Sequence, residues 1–317
     1  MVNVLLLSSY GTWPFFDQTP GQRGVWKGTR FTWDPQEGPF DWVVVLDELA
    51  APVRVRVSPD RLAFFAWEPP SMKFYHDAFL RQFARVVGIQ PRLRAHPGFS
   101  PGPLGMPWFV RKKYDEIPGE PCEKTIPRLS VITSNKAFSP AHRRRLQFCL
   151  RLKEVFKDRV DLFGRGIRDF DDKWSVLAPY PFTVAIENDR LPWWITEKLL
   201  DPYLALSFPL YFGAPEAEAS FGPESLLRID PGKPKESMRT IERVLSERDF
   251  YAARRPALLA ARAKVLEVHQ TFAVLEQNLT RWEGQSPRAA PVDLLLAPNP
   301  AKPPMLPRLL RRARNLF

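Results

Sequence analysis

The sequence predicts an α/β protein with two domains, and three observations support this fold class. The chain has 317 residues, which is more than one hydrophobic core usually holds. Short and nearly continuous apolar segments recur along it, as in strands buried on both faces of a parallel sheet. In the second half these segments alternate with helical patterns, which is the order of a parallel strand–helix–strand unit.

The first half predicts one sheet. Its apolar segments are residues 2–7, 42–46, 53–57 and 62–67. A more helical pattern follows at 76–87, and residues 91–107 are rich in proline and glycine, which is typical of a loop. We place a domain boundary near 118–127, so the N-terminal domain spans residues 1–125.

The second half predicts a Rossmann-like domain over residues 126–284. Helical patterns at 140–156 and 196–206 connect its strands, and 235–282 is mostly helical, with Pro256 suited to start a helix. Residues 285–317 are predicted as a proline-rich linker and a basic tail. The predicted strands are residues 129–133, 160–163, 183–186 and 210–212.

The composition limits the partners and the compartment. A formal charge of +11 favours anionic partners but does not choose among nucleic acid, acidic lipid and phosphorylated small molecules. Cys122 and Cys149 have no spacing typical of a disulfide framework or a metal site, which fits a reducing compartment. The apolar run at residues 4–7 is too short for a signal peptide or a membrane span. We therefore expect a cytoplasmic protein.

The loop after the strand at 183–186 carries the most informative polar residues. Glu187 and Asn188 follow the strand directly, and Thr196 is a plausible N-cap for a helix that starts with Glu197 and Lys198. A lysine at a helix N-terminus makes sense opposite a ligand anion, since the helix dipole disfavours a cation there. A diphosphate fits this arrangement. The alternative is an ordinary helix cap beside a solvated lysine.

Four ordered motifs resemble the α1,3/4-fucosyltransferases of glycosyltransferase family 10, including bacterial ones. They are E-N at 187–188, I-T-E-K at 195–198, P-L-Y-F-G at 209–213 and F-G-P-E-S-L-L-R-I at 221–229. The resemblance implies a GT-B fold, in which two Rossmann-like domains face each other across a cleft. It also implies transfer of L-fucose from GDP-β-L-fucose to an acceptor glycan, with no metal ion or other cofactor.

The resemblance also implies roles for the residues that bind the donor. Arg144 corresponds to the donor-binding arginine, with Arg143 and Arg145 as alternative registers, and a basic helix face as the alternative interpretation. Together with Lys198 it would neutralise the departing GDP. Acidic and neutral side chains would bind the ribose or fucose hydroxyls. These are Glu187, Glu197, Asn188, Ser134 and Asn135.

The N-terminal half matches the family at one short patch, W-E-P-P-S at residues 67–71. The resemblance makes Glu68 the general base that takes a proton from the attacking acceptor hydroxyl. Glu68 can act in this way only if the two domains face each other. The alternative is an ordinary acidic residue in a proline-rich turn.

Two departures from the family pattern lie near the expected sugar. Asp189 replaces the family serine, and Trp194, beside Trp193, replaces the tyrosine before I-T-E-K; Trp194 keeps an aromatic face for stacking but lacks the hydroxyl. Another GDP-sugar is therefore an alternative donor. A glycan- or membrane-binding protein without catalysis is a second alternative, whereas a nucleic-acid partner is not expected.

The tail predicts a basic amphipathic helix over residues 303–317. Leucines and an alanine share one helical face there, four arginines supply charge, and no acidic residue follows Asp293. Such a helix binds anionic bilayers, and similar tails occur in bacterial members of the family. We expect it to bring the protein to the inner face of a membrane, near lipid-linked or lipopolysaccharide acceptors. A frayed end or a helix docked on the protein is the alternative.

Overall fold

The structure, a computed structural model, describes residues 1–10, 13–135, 139–285 and 289–300. The predicted tail helix over 303–317 lies outside these ranges. Within them, the structure contains no helix with the length and apolar character that crossing a lipid bilayer requires.

The N-terminal half contains eight strands. They are β1 Val2–Ser8, β2 Val25–Trp26, β3 Thr29–Thr32, β4 Trp42–Leu46, β5 Val53–Val57, β6 Leu62–Ala66, β7 Arg85–Gly88 and β8 Phe99–Ser100. Seven of them form a sheet in the order β2-β3-β1-β4-β6-β7-β8. Its neighbouring strands are parallel except β2 and β3. The predicted strands at 2–7, 42–46 and 62–67 are confirmed as β1, β4 and β6.

The strand β5 does not join this sheet. It pairs antiparallel with β14 (Val292–Leu296), in a register that joins Val57 to Val292. Along β5 the valines at 55 and 57 are buried and the arginines at 54 and 56 are exposed, as in a strand with one face in solvent. The prediction of a linker from residue 285 onward is therefore wrong for residues 292–296.

The C-terminal half contains a five-stranded parallel sheet in the order β10-β9-β11-β12-β13. The strands are β9 Leu129–Ile132, β10 Val160–Phe163, β11 Phe182–Ile186, β12 Phe208–Phe212 and β13 Leu227–Arg228. The four strands predicted here are confirmed. Because the strands are parallel, their carboxyl ends meet at one edge of the sheet, where ligands of such sheets bind.

Seven α-helices complete the described part of the chain. They are α1 Asp77–Leu80, α2 Pro140–Phe156, α3 Glu197–Leu204, α4 Ala217–Phe221, α5 Pro234–Ser246, α6 Phe250–Lys264 and α7 Thr271–Glu283. The predicted helix at 76–87 is only the short α1, since residues 85–88 extend the sheet instead. Pro256 lies inside α6 rather than at its start, because Phe250 anchors an earlier turn against Phe182 and Phe208.

The helix α7 packs against the N-terminal sheet. Phe272, Leu275 and Trp282 are buried in one hydrophobic cluster with residues of β1, β4 and β6, and the rings of Trp42 and Trp282 lie 5.7 Å apart. The sequence grouped this helix with the domain at 126–284, whereas its contacts join it to the first half. The chain therefore returns to its N-terminal sheet through α7 and β14.

Candidate active site

The carboxyl ends of β9, β10 and β11 line a cavity of about 230 Å³ beside the start of α3. Thr196 caps this helix, since its hydroxyl accepts the Lys198 N–H at 3.3 Å. The predicted N-cap is thus confirmed. Polar and charged residues in its wall are Thr133, Ser134, Arg145, Arg165, Lys173, Thr183, Glu197, Lys198 and Asp201.

Glu187 lies behind this helix start and is 1% exposed. The Thr196 N–H and hydroxyl donate to its carboxylate at 2.9 Å, and the Lys198 ammonium lies 3.4 Å away. A Cβ atom at Gly213 would lie 2.6 Å from Glu187 Cγ, so the glycine permits this close approach. Thr196 and Lys198 occupy this carboxylate, and the contact of Glu187 with the donor stays a prediction. Glu187 positions both of these residues.

Glu197 and Lys198 form an ion pair at 3.2 Å in the cavity wall. Burial raises the pKa of Glu197, but the ammonium groups of Lys198 and Lys173 outweigh burial and lower this pKa to about 2. Burial lowers the pKa of Lys198, but the carboxylates of Glu197 and Glu187 outweigh burial and raise it. Both residues are therefore charged across the physiological pH range.

Two residues of this cluster escaped the sequence analysis, Lys173 and Asp201. The Lys173 ammonium lies 2.7 Å from the buried Asp201 carboxylate and 4.0 Å from Glu197. Burial raises the pKa of Asp201, against the effect of Lys173. Asp201 could have been found, since it lies four residues after Glu197 and so on the same face of α3. Nothing local pointed to Lys173.

Of the three consecutive arginines of α2, Arg145 lines the cavity, and Arg143 and Arg144 do not. Arg145 is 9% exposed, and its Nη1 donates to Asn188 Oδ1 at 2.5 Å. In the described part of the chain its Nε has no hydrogen-bond partner. Arg144 is exposed on the outer face of α2, as is Arg143. The preferred register was therefore wrong by one residue, because α2 turns position 145 toward the sheet together with the buried Phe148 and Cys149.

Arg145 and Lys198 lie close enough for each charge to affect the other. Burial lowers the pKa of Arg145, and the Glu187 and Glu197 carboxylates oppose this effect. Two cations held together at a helix N-terminus create a site for an anion, because the helix dipole adds to their field. This cluster is the anion-binding part of the candidate site.

The predicted neutral residues are distributed unequally. Asn188 is held by Arg145, and Ser134 lies in the cavity wall. Asn135 is exposed, and its N–H donates to the Arg165 carbonyl at 3.2 Å, so it supports the loop after β10. The structure thus brings Ser134 and Asn188 to the cluster and leaves Asn135 at its margin.

Trp194 does not present an aromatic face to the cavity. It is 3% exposed and belongs to the hydrophobic cluster of the N-terminal sheet. The prediction that it stacks on the sugar does not fit this burial. Trp193 is partly exposed, has a left-handed φ of 61°, and donates its N–H to Glu216 Oε2 at 3.1 Å.

Glu68 lies on the opposite side of the site, directly after β6 and Trp67. Its N–H donates to the Tyr75 hydroxyl at 3.2 Å, and Gln90 Nε2 donates to its carbonyl at 2.9 Å. Nearby, Ser71 Oγ donates to Asp189 Oδ2 at 2.5 Å, which joins the Glu68 loop to the loop after β11. The two loops therefore face each other, as the role predicted for Glu68 requires.

Burial and the Asp47 carboxylate raise the pKa of Glu68 to about 7, and the ammonium groups of Lys73 and Lys198 oppose this shift. Lys198 and Glu197 belong to the second half of the chain, so their charges reach Glu68 across the site. A carboxyl group with a pKa near neutrality can accept a proton at physiological pH. The sequence analysis did not identify Asp47, Lys73, Tyr75 or Gln90.

The sequence comparisons give one relative. No family model matches the chain. The α-(1,3)-fucosyltransferase FucT of Helicobacter pylori is 31% identical over 58 residues. The matched segment covers 18% of this chain and 12% of the relative.

The structural comparisons concern the whole fold. A crystal structure of an α1,3-fucosyltransferase superposes with a TM-score of 0.52 at 15% identity, over 80% of this chain and 80% of the other. A structure of an α1,3-fucosyltransferase with GDP gives a TM-score of 0.48 at 17% identity, over 86% and 92% of the two chains. The predicted GT-B fold is confirmed, and the chain resembles α1,3-fucosyltransferases in fold and in one sequence segment.

Proposed function

We propose that this chain is an inverting glycosyltransferase that transfers L-fucose from GDP-β-L-fucose to a hydroxyl group of an acceptor glycan. The observation that carries the proposal is the convergence of Arg145 and Lys198 in one cavity wall at the start of α3, with Lys198 within electrostatic reach of Glu68 on the opposite sheet. The likeness to α1,3-fucosyltransferases supports it.

The donor diphosphate is assigned to the two cations. Phosphate oxygens accept bidentate hydrogen bonds from a guanidinium. Among the described residues, the Nε of Arg145 has no hydrogen-bond partner, so we assign it to a phosphate oxygen. Lys198 and the N–H groups of α3 add positive field. As GDP departs, its charge grows at this position, so both cations stabilise the transition state more than the bound donor.

Glu68 is assigned to the acceptor. The acceptor oxygen attacks the anomeric carbon on the face opposite GDP, and its proton passes to the Glu68 carboxylate. The bond between the anomeric carbon and the phosphate oxygen breaks, and its electron pair leaves with GDP. One displacement inverts the configuration, so a β-linked donor gives an α-linked product.

We expect this reaction to need no metal ion. Arg145 and Lys198 supply the positive charge that stabilises the leaving diphosphate. A chelator such as EDTA should therefore leave the transfer rate unchanged. Loss of the rate with chelator, and its recovery on addition of a divalent cation, would assign part of this role to a metal.

Another GDP-sugar is the second candidate donor, because Trp194 is buried and Asp189 replaces the family serine near the sugar. The experiment that tests the proposal presents GDP-fucose and other GDP-sugars with an array of acceptor glycans and detects products by mass. A fucosylated product supports the proposal. Product from another GDP-sugar alone would move the assignment to that donor.

Nucleotide specificity is measured independently of turnover. At about 100 times its Kd, GDP should stabilise the fold by about 2.7 kcal/mol, since a ligand that binds only the folded state stabilises it by mass action. UDP is the control. Equal stabilisation by GDP and UDP, with no product from any GDP-sugar, would overturn the proposed function.

Attachment to the inner face of a membrane, near a lipopolysaccharide or another lipid-linked acceptor, rests on the sequence of the tail. Each arginine near an acidic bilayer adds about 1 kcal/mol of attraction. Removal of residues 303–317 should abolish co-sedimentation with anionic vesicles and leave transfer to a small acceptor intact. Unchanged vesicle binding would contradict this part of the proposal.

A further inference from the structure

A buried acidic centre lies behind Glu68, at the carboxyl end of β4. Asp47 is 1% exposed, and its backbone has a left-handed φ of 65°. Its carboxylate accepts hydrogen bonds from the Tyr75 hydroxyl and, at 3.4 Å, from the Tyr10 hydroxyl. The Lys73 ammonium lies 2.6 Å from Asp47 and 2.5 Å from Glu48.

This centre connects directly to the Glu68 backbone. The Tyr75 hydroxyl donates its proton to Asp47 and accepts the Glu68 N–H at 3.2 Å. Gln90 Nε2 donates to the carbonyl oxygens of Glu68 and Lys73, at 2.9 and 3.0 Å. The residue proposed as the base and the lysine that pairs with Asp47 are thus held by the same side chain.

Building on the proposed function, we propose that Asp47 is the positioning residue for Glu68: it fixes the Glu68 loop through the Tyr75 hydroxyl and places a permanent negative charge behind the Glu68 carboxylate. Asp47 does not touch substrate in this assignment. It acts through Tyr75 and through its field.

The surrounding charges fix the sign of the electrostatic effect. Asp47 has the largest effect among the charges on Glu68 and raises its pKa, Glu197 also raises it, and Lys73 and Lys198 lower it. The phenols of Tyr10 and Tyr75 are neutral, since burial and Asp47 raise the pKa of each. Asp47 raises the pKa of Glu68 and Lys73 lowers it. Without the Asp47 charge, the effect of Lys73 is no longer offset, so the pKa of Glu68 should fall.

The backbone conformation provides a variant that keeps the fold. A φ of 65° disfavours most residues, but asparagine adopts this region as readily as aspartate. Asp47→Asn removes the charge and keeps an oxygen that can accept the Tyr75 hydroxyl. Glu48→Gln is the matched control. It removes the other carboxylate charge that pairs with Lys73, but this side chain is 32% exposed, so solvent screens its charge.

Two measurements test the inference, the pH profile of kcat/KM and the titration of the Glu68 carboxyl carbon by ¹³C NMR, assigned by comparison with Glu68→Gln. Asp47→Asn should lower both apparent pKa values by roughly one unit and leave the affinity for GDP unchanged. Glu48→Gln should behave like the wild type. Tyr75→Phe should lower kcat and also lower the melting temperature, because the Asp47 carboxylate and the Glu68 N–H lose a buried hydrogen-bond partner.

A Glu68 titration that is identical in Asp47→Asn and in the wild type would overturn the inference, as would equal shifts in Asp47→Asn and Glu48→Gln. If the wild type transfers no sugar to any acceptor, the proposed function fails. The carboxyl titration still decides in that case whether Asp47 controls the charge of Glu68.

Discussion

The two sides of the candidate site contain partly buried carboxylates whose pKa values shift in opposite directions. Glu197 lies beside two ammonium groups, and its pKa falls to about 2. Glu68 lies beside Asp47, and its pKa rises to about 7. Burial alone would raise both pKa values, so the neighbouring charge decides the outcome. The donor side is thus built from permanent charges that bind, and the opposite side from a group that can exchange a proton.

Removal of the exchangeable proton site should have the largest effect. Glu68→Gln keeps the shape of the side chain and removes the base, so transfer should fall by about two to four powers of ten. The affinity for GDP should change little, because Glu68 lies on the opposite sheet. Steady-state kinetics and calorimetric titration with GDP measure the two quantities. An equal loss of GDP affinity would make Glu68 a donor-binding residue.

Removal of a permanent charge on the donor side should affect both binding and rate. Arg145→Ala should lower transfer by about two to three powers of ten and weaken GDP binding, because a preorganised cation leaves the diphosphate site. Arg144→Ala is the control on the same helix, since Arg144 faces outward, and it should retain wild-type rate and affinity. The reverse result would restore the register first favoured from the sequence.

The pH dependence should separate the two sides. Transfer requires deprotonated Glu68, so kcat/KM should fall about tenfold for each pH unit below about 7. Binding of GDP-fucose should stay constant from pH 6 to 8, because Glu197 and Lys198 do not titrate in that range. A binding curve that follows the rate profile would place the titrating group on the donor side.

Removal of the hydrogen bond between Ser71 and Asp189, which joins the two sides of the site, should have the smallest effect on kcat/KM. Ser71→Ala removes an exposed hydrogen bond to Asp189. A hydrogen bond in such a setting contributes about 0.5 kcal/mol, so kcat/KM should change by less than about threefold. A change of two powers of ten would mean that this contact controls the approach of the two sheets.

The sequence predicted the strand, loop and helix cap of the donor side because these elements are consecutive. Residues 187–198 run from the end of β11 into α3, and strand, loop and helix cap are local patterns. The sequence motif did not decide which arginine binds the donor, since Arg143, Arg144 and Arg145 are consecutive. The apolar positions 148, 149, 152 and 156 already define a buried helix face, and position 145 lies on that face.

The residues around Glu68 could not be predicted from the sequence, because their contacts join residues that are distant along the chain. Asp47 and Tyr75 are 28 positions apart, and Gln90 reaches back 22 positions to Glu68. The rule that ligand sites form at the carboxyl ends of parallel strands would have pointed to Asp47 after β4. The burial of Trp194 was beyond local patterns, because its hydrophobic cluster contains residues of the opposite sheet.

The helix α7 and the strand β14 come late in the chain but pack against the N-terminal half. This connection sets the order in which the two halves can complete their packing during synthesis. The C-terminal sheet is formed by residues 129–228 alone, so it can assemble while later residues are still being added. The seven-stranded N-terminal sheet contains only residues 2–100, but its packing against α7 needs Trp282 to reach Trp42, and β14 must reach β5, across more than 230 positions. Such distant contacts form slowly, since the intervening chain must be ordered first. The half of the molecule that leaves the ribosome first therefore completes its packing only after α7 and β14 have been made.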